Sequence, residues 1–204
     1  MFRLACIVIG YFIGCIQTAY LISKMTKTDL RKQGSGNLGT TNALRVLGVK
    51  AGAVTFFGDI LKSVLSFVVC WFLFREQGGM MAGVYGSIGA VLGHDFPFYL
   101  RFRGGKGIAA TIGLILALGF SFSAPLMLLT YAVGIIGVAA SGYISVGSML
   151  FSVSIPLCAW FLHFPAEFVL VTVCLCVLAL WKHRANIGRL RAGNENKFSL
   201  KKKK

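Results

Sequence analysis

The chain has 204 residues, of which 56% are hydrophobic and only 13% are charged, and its mean hydropathy is +0.77. Soluble domains are about 45–50% apolar and about 25% charged. The composition therefore excludes the soluble globular, disordered, coiled-coil and disulfide-scaffold classes and leaves a polytopic membrane protein. This protein carries 21 Lys and Arg residues against 6 Asp and Glu residues, a net charge of +15.

Seven apolar runs are long enough, or nearly so, to cross about 30 Å of hydrocarbon, which takes roughly 20 residues. They cover residues 4–22, 51–74, 80–100, 108–120, 124–140, 146–162 and 166–181. The fourth run is short enough to suit a re-entrant segment as well. We expect one integral-membrane domain over residues 1–204, all-α, with seven transmembrane helices.

The basic residues support the count of seven. With seven spans, 19 of the 21 basic residues fall on one side of the membrane and only Arg3 and Arg75 fall on the other. The positive-inside rule makes the rich side cytoplasmic, so the N-terminus is expected outside and the C-terminus in the cytoplasm. Deleting one span would place the basic tail after residue 181 opposite the basic loop at residues 23–50.

Three polar, glycine-rich stretches are all expected on the cytoplasmic side, and the first is QGSGNLGTTNALR at residues 33–45. Its glycines permit positive φ and leave amides bare, and its short polar side chains can cap a helix that begins near Thr40. Amides at a helix N-terminus bind phosphate readily, and Arg45 lies one turn further on. The alternative is a well-capped connecting loop.

The second stretch is GHDFP followed by RFRGGKG, which ends at residue 107. A P-loop needs glycine where Leu100 stands and Ser or Thr where Gly107 stands, so this is not a P-loop. Two bare glycines, Lys106 and a helix expected from Ile108 can still hold an anion. The neighbouring arginines are expected to anchor the span end, whereas Lys106 is expected to bind a ligand.

The third stretch is KHRANIGRL followed by GNENK, near the C-terminus. His183 and Asn186 share a face if the last helix continues, and histidine can serve as an acid, a base or a donor. The alternative is contact with lipid headgroups, which suits Arg189 and Arg191 better than His183, Asn186 or Glu195.

Two charged residues, Asp59 and Lys62, lie within the second apolar run. Charges inside a membrane segment are costly and either pair with each other or serve a site. An ion pair and a site are both open.

The six cysteines lie in apolar runs without metal-ligand spacing, and no paired carboxylates or Ser–His–Asp pattern is evident. The spaced histidine and aspartate that acyltransferases usually carry are also absent, since Asp95 directly follows His94. The cations, amides and hydroxyls indicate an anionic, phosphorylated ligand reached from the cytosol, with an apolar part supplied by the bilayer.

The segments GSGNLGTTNALR, GHDFPFYLRFRGGKG and HRANIGRL with AGNENK resemble the three signature segments of the bacterial integral-membrane acyl-phosphate:glycerol-3-phosphate acyltransferases, the PlsY family. The resemblance covers almost the whole chain in order. It implies a seven-helix fold that transfers a fatty acyl group from acyl phosphate to the 1-hydroxyl of glycerol 3-phosphate. The products would be lysophosphatidate and inorganic phosphate, in the first step of phospholipid synthesis.

The resemblance also implies roles for individual residues. The residues expected to be catalytic are Ser35, Arg45, Lys106 and His183. Those expected to bind substrate are Gly36, Asn37, Thr41, Asn42, Gly104, Gly105, Gly107, Ser145 and Asn186. Those expected to support the site are Asp59, Lys62 and Glu195. No cofactor and no metal are expected.

The expected partners are acyl phosphate, glycerol 3-phosphate and membrane lipids, with the soluble enzyme that makes acyl phosphate as a further candidate and no nucleic acid. The expected location is the bacterial cytoplasmic (inner) membrane, with the active site facing the cytoplasm. The alternative function is a small-anion or lipid transporter with a phosphate site at its cytoplasmic face. A transporter favours polar residues near the bilayer midplane, whereas here they gather at one side.

Overall fold

The computed structural model describes residues 1–198, and all of their regular structure is helical. The all-α class is therefore confirmed for this part of the chain. The last four lysines, which add to the basic tail, lie outside the described residues.

Ten α-helices and one short 3₁₀ helix form the described chain. They are α1 (Phe2–Gly14), α2 (Thr18–Met25), α3 (Thr40–Leu47), α4 (Val49–Gly78), α5 (Met80–Asp95), the 3₁₀ helix (Phe98–Leu100), α6 (Ile108–Ser121), α7 (Ala124–Ser141), α8 (Ile144–Phe161), α9 (Ala166–Lys182) and α10 (Arg184–Arg191). Each of the seven predicted runs contains a helix. Two of these helices differ from the prediction in where they break or end.

The first run is interrupted, because the helix ends at Gly14 and resumes at Thr18. Gln17 adopts an extended conformation, with φ −96° and ψ 94°. In the third run, the helix ends at Asp95 rather than near residue 100. Pro97 disfavours helical geometry in the residue before it, and Phe96 accordingly has φ −135° and ψ 56°.

Four helical segments of the described chain are long and apolar enough to cross a membrane. They are Phe2–Met25, Val49–Gly78, Ala124–Ser141 and Ile144–Phe161. Ala166–Lys182 and Arg184–Arg191 qualify as a fifth if the pair, bent by 53°, counts as one span, and Ile108–Ser121 is a shorter apolar helix. The structure therefore supports several membrane spans, and the count of seven stays a prediction.

The chain forms two compact units, and the first comprises residues 1–118. Its centre is α5, which packs against α1 and α4. Glycines make the contact between α1 and α5 close: a Cβ added at Gly10 would overlap the carbonyl of Gly86, and one at Gly89 would overlap the carbonyl of Ile7. Small residues of this kind let membrane helices approach each other.

A small apolar core within the first unit places its two polar stretches side by side. Leu38 and Ala43 from the first stretch pack with Leu100, which lies between the two parts of the second stretch, and with Ala19 of α2. All four side chains are at most 8% exposed. The core fixes α3 and the loop before it next to the segment that leads to Lys106.

The second unit comprises residues 119–198 among those described. In it α8 packs against α7 and α9. A Cβ at Gly134 would lie 3.0 Å from Phe151 Cβ, and one at Gly137 would lie 3.1 Å from Gly147 Cα. These glycines therefore serve helix packing, as small residues commonly do in membranes.

Candidate active site

Asn42 organises the first polar stretch from inside. Its side chain is 2% exposed. The amide oxygen accepts a hydrogen bond from the Ser35 amide at 2.8 Å, and the amide nitrogen donates to the carbonyls of Leu30 and Gln33 at 3.0 and 3.1 Å. Gly34 has φ +60°, and a Cβ there would overlap the Asn42 oxygen. Asn42 thus shapes the loop that carries Ser35.

The α3 helix begins at Thr40, as the sequence predicts, but its N-terminus is not capped by a side chain. The N-cap residue is Gly39, which has no capping oxygen to offer. Among residues 1–198, the backbone amides of Thr40 and Thr41 have no hydrogen-bond acceptor. The expectation that short polar side chains cap this helix is wrong, and two amides remain available at its first turn.

The other expected residues of the first stretch lie around this turn. Ser35 and Gly36 are exposed, whereas Asn37 and Thr41 are half-buried. Arg45 is also half-buried and has no carboxylate partner within the described part of the chain. A cation and open amides therefore share one short helix, an arrangement that suits an anion.

The second polar stretch folds back onto the end of α5. The amides of Gly104 and Gly105 donate to the carbonyls of Asp95 and His94 at 3.1 and 3.0 Å. The sequence predicts that these two glycines help to hold an anion, but both amides are already hydrogen-bonded to the end of α5. Lys106 follows directly and is half-buried.

Gly107 makes the turn into α6, where its backbone conformation and close neighbours favour glycine. Its φ is +71°, and a Cβ would lie 2.8 Å from Val91 Cγ1 and 3.1 Å from Asp95 Oδ1. Its carbonyl accepts from the amide and the hydroxyl of Thr111, at 2.7 and 2.9 Å. The start of α6 at Ile108 agrees with the prediction.

Asp59 and Lys62 form an ion pair, one of the two alternatives that the sequence left open, with 2.9 Å between Asp59 Oδ1 and Lys62 Nζ. Both side chains are buried, at 1% and 4% exposure. His94 joins them: its Nδ1 lies 2.8 Å from Lys62 Nζ and 3.4 Å from Asp59 Oδ1. Lys62 Nζ also donates to the carbonyl of Ile16 at 2.9 Å. Paired and hydrogen-bonded charges are those that a membrane interior tolerates.

In the second unit, three donors converge on Glu195. Ser145 Oγ and Asn186 Nδ2 lie 3.1 and 2.7 Å from Oε1, and Arg189 Nε lies 2.6 Å from Oε2. Burial by itself raises the pKa of Glu195, but the hydrogen bonds from Arg189 and Asn186 and the Arg189 charge outweigh it and hold the pKa below the usual value. Sequence reasoning assigned Arg189 to lipid headgroups, and the structure pairs it with Glu195 instead.

His183 stands at the 53° bend between α9 and α10. The last helix therefore does not continue straight, and His183 and Asn186 follow the bend, at 3% and 6% exposure. His183 Nδ1 lies 2.7 Å from the Ala179 carbonyl oxygen. A carbonyl only accepts, so Nδ1 carries a proton, and Nε2 is unprotonated whenever the ring is neutral.

Sequence reasoning missed three residues that tie the second polar stretch in place. Gln17 Nε2 donates to the carbonyl of His94 at 2.9 Å, and Tyr99 Oη donates to the carbonyl of Cys15 at 2.7 Å. His94 itself was set aside because the acyltransferase spacing is absent. One signal was present: Gln17 is a polar residue inside an apolar run, where such residues are costly and mark a site or a contact.

These features define a class, the multi-pass helical membrane proteins with polar clusters at helix ends and turns. Comparison with known proteins identifies the family within this class. The family model described as glycerol-3-phosphate acyltransferase matches residues 4–193. The glycerol-3-phosphate acyltransferase of Thermoanaerobacter pseudethanolicus is 39% identical over 203 residues, which are 98% of each chain. That of Bacillus subtilis is 39% identical over 186 residues, covering 90% of this chain and 91% of the relative.

Solved structures support the same family. The crystal structure of PlsY (YgiH), an integral membrane glycerol 3-phosphate acyltransferase, in its glycerol 3-phosphate form matches with a TM-score of 0.87 and 30% identity, covering 97% of this chain and 96% of that one. Its lysophosphatidic acid form matches with a TM-score of 0.84 and 29% identity over the same shares. The chain belongs to the glycerol-3-phosphate acyltransferase family.

Proposed function

We propose that this acyltransferase takes its acyl group from an acyl phosphate and transfers it to the 1-hydroxyl of glycerol 3-phosphate. The products are lysophosphatidate and inorganic phosphate, and the reaction is the first step of phospholipid synthesis. The observation that carries the proposal is Arg45, a half-buried cation without a carboxylate partner in the described chain, on a helix with open first-turn amides. The relative solved in glycerol 3-phosphate and lysophosphatidic acid forms supports the acceptor and the product.

In this proposal Arg45 and Lys106 bring two anions together. An acyl phosphate is a mixed anhydride with a good leaving group, so its reaction needs little beyond positioning and neutralisation of charge. Phosphate groups bind through two sets of residues. The first set is Ser35, Gly36, Asn37, Thr41 and Arg45, on the loop shaped by Asn42. The second set is Lys106 on the loop of Gly104, Gly105 and Gly107. Because the amides of Gly104 and Gly105 already donate to the end of α5, these glycines position Lys106, with support from Asp59 and Lys62.

Ser145, His183 and Asn186 orient glycerol 3-phosphate, and Glu195 holds Ser145 and Asn186 in place. Since His183 Nδ1 is committed to the Ala179 carbonyl, His183 donates to phosphate from Nε2 only as an imidazolium. A neutral His183 would offer Nε2 as an acceptor for the attacking hydroxyl. We favour transfer of the hydroxyl proton to the substrate's own phosphate, with His183 as a phosphate donor.

The proposal includes the topology: one membrane domain with seven spans in the bacterial cytoplasmic membrane, an external N-terminus and an active site facing the cytoplasm. The bilayer then supplies the apolar donor directly. Apolar side chains cover the outward face of α4, where Phe57, Leu61 and Phe72 are each 65% exposed. Such a surface is stable in lipid. The soluble enzyme that makes acyl phosphate is the proposed partner.

The test is an assay of purified protein with acyl phosphate and glycerol 3-phosphate. Replacing Arg45 by Gln or Lys106 by Met should lower kcat/KM by roughly a hundredfold to a thousandfold, the usual loss when one charge-stabilising group is removed. Arg103→Gln is the matched control, since it removes a cation from an exposed position of the same loop, and it should stay close to the parent protein. Absence of lysophosphatidate, in detergent and in liposomes alike, would refute the proposal.

A further inference from the structure

Three potential acceptors surround the ammonium of Lys62. Nζ lies 2.9 Å from Asp59 Oδ1, 2.9 Å from the Ile16 carbonyl oxygen and 2.8 Å from His94 Nδ1. A lysine ammonium carries three donors and no acceptor. Lys62 therefore joins three elements: the break between α1 and α2, the α4 helix and the end of α5.

This arrangement selects one tautomer of His94. A protonated Nδ1 would point a donor at the Lys62 ammonium over 2.8 Å, so Nδ1 must present its lone pair. Asp59 Oδ1 lies farther from the same nitrogen, at 3.4 Å, and is ion-paired with Lys62 at 2.9 Å. A neutral imidazole with a bare Nδ1 carries its proton on Nε2.

The opposite side of the His94 ring supports the glycine loop, residues 104–107. A Cβ at Gly105 would overlap His94 Nε2, and a Cβ at Gly104 would overlap the His94 carbonyl. That carbonyl accepts from the Gly105 amide at 3.0 Å and from Gln17 Nε2 at 2.9 Å. The backbone just before Lys106 therefore rests on both the ring and the carbonyl of His94.

We propose that His94 is a positioning residue for the glycine loop. Lys62 fixes the ring in its Nε2-protonated form, and the ring fixes where Gly105, and with it Lys106, stands. The inference rests on the proposed role of the loop in phosphate binding. A displacement of about 1 Å in such a loop can lower kcat/KM about a hundredfold.

The tautomer can be observed directly. The chain has three histidines, so ¹⁵N labelling of histidine in the detergent-solubilised protein gives a readable NMR spectrum, and the signals lost in His94→Asn identify His94. We expect His94 to be neutral and Nε2-protonated at neutral pH. A double variant, Asp59→Asn with Lys62→Met, removes both charges at once and should release the ring into a mixture of tautomers. An Nδ1-protonated or doubly protonated His94 in the parent protein would overturn the inference.

Kinetics test the positioning role. Asn at position 94 keeps an acceptor near the place of Nδ1, so Lys62 stays satisfied, while the ring over Gly105 is lost. We expect the KM for the phosphorylated substrates and the Ki of inorganic phosphate to rise roughly tenfold to a hundredfold, with kcat changed much less. His163→Asn is the control, because His163 is exposed between α8 and α9 and should behave as the parent does. A folded His94→Asn protein with unchanged KM and Ki would overturn the inference.

The two variants distinguish a failure of the positioning role of His94 from a failure of the proposed phosphate role of Lys106. If Lys106→Met raises these constants and His94→Asn does not, the positioning role is wrong and the proposed function stands. If His94→Asn raises them and Lys106→Met does not, the loop is positioned by His94 as inferred, and the phosphate role of Lys106 is wrong.

Discussion

At the scale of single residues, the structure separates charges that hold the protein together from charges left for a ligand. Lys62 is matched by Asp59 and Arg189 by Glu195, each at less than 3.0 Å. Arg45 has no such match in the part of the chain described. A half-buried cation without a partner costs stability unless a ligand pairs with it, which supports the proposal that Arg45 binds a ligand whereas Lys62 and Arg189 serve the structure.

Glu195→Gln tests one structural charge. The substitution should lower stability by about 1–2 kcal/mol at neutral pH, because a charged acceptor of three hydrogen bonds becomes neutral while Arg189 stays partly in water. The folded-state pKa of Glu195 lies below its ordinary value of 4.5. The stabilisation is therefore fully present above that value and is lost as pH falls through the lowered pKa. Thermal melts of both proteins from pH 7 to pH 3 should converge at the acid end.

Glu76→Gln is the control for this comparison. Glu76 is 83% exposed and pairs with Arg75 at 3.5 Å, and an exposed pair contributes little. We expect its melting curve to follow the parent at every pH. A Glu195→Gln deficit as large at pH 3 as at pH 7 would contradict the assignment of this stabilisation to the Glu195 charge.

Sequence alone offered the pair of Asp59 and Lys62 as one of two alternatives, because a spacing of three residues on a helix puts side chains on one face. It could not predict that His94 completes the pair, since that contact depends on how α5 packs against α4. Asn42 shows the same limit. Its residue type suits ligand binding, but the fold turns its amide inward to Ser35, Leu30 and Gln33.

At the scale of elements, glycines decide which helices meet closely. The α1 and α5 helices approach so that a Cβ on either one meets the backbone of the other at Gly10 or Gly89. A backbone atom cannot move aside as the end of a long side chain can. The 25 glycines of this chain therefore include some whose replacement must separate two helices.

Gly89→Ala should lower the free energy of unfolding by about 1–3 kcal/mol, the usual cost of overpacking, because its Cβ would overlap the Ile7 carbonyl. Gly188→Ala is the matched helical control, since nothing lies within 4 Å of its Cβ position. There the gain in helix propensity should raise stability by up to about 1 kcal/mol. Thermal melts in one detergent would compare the two, and equal melting temperatures would contradict the close packing of α1 on α5.

Helix positions were predictable because apolar runs mark them, and all seven runs contain helices. The interruption at residues 15–17 was not, since the run remains apolar across it apart from Gln17. Its stability comes from donors far along the chain, Lys62 and Tyr99, whose positions no local pattern encodes. The 53° bend at His183 was not predictable either, because the sequence pattern there fits one continuous helix.

At the scale of the whole molecule, the net charge of +15 serves two purposes. Most basic residues flank apolar runs, where they set orientation and attract anionic lipid. A smaller number, chiefly Arg45 and Lys106, are proposed to bind phosphate.

The proposed topology predicts which residues a membrane-impermeant maleimide can reach in intact bacterial spheroplasts. In a variant without the six native cysteines, Gln77→Cys should react from outside, because it is exposed in the last turn of α4 on the proposed external side. Lys27→Cys, exposed in the basic loop, should react only after lysis. Labelling of Lys27→Cys in intact spheroplasts would contradict the orientation.

The interruption of the first apolar helix also bears on how the protein is made. The carbonyls of Cys15 and Ile16 accept from Tyr99 and Lys62, and the Gln17 amide group donates to residues 93 and 94. Polar backbone groups without partners cost several kcal/mol each in hydrocarbon. During synthesis the first segment emerges more than 70 residues ahead of its last donor. The first segment of this protein therefore reaches its final conformation only after the third apolar run has been synthesised.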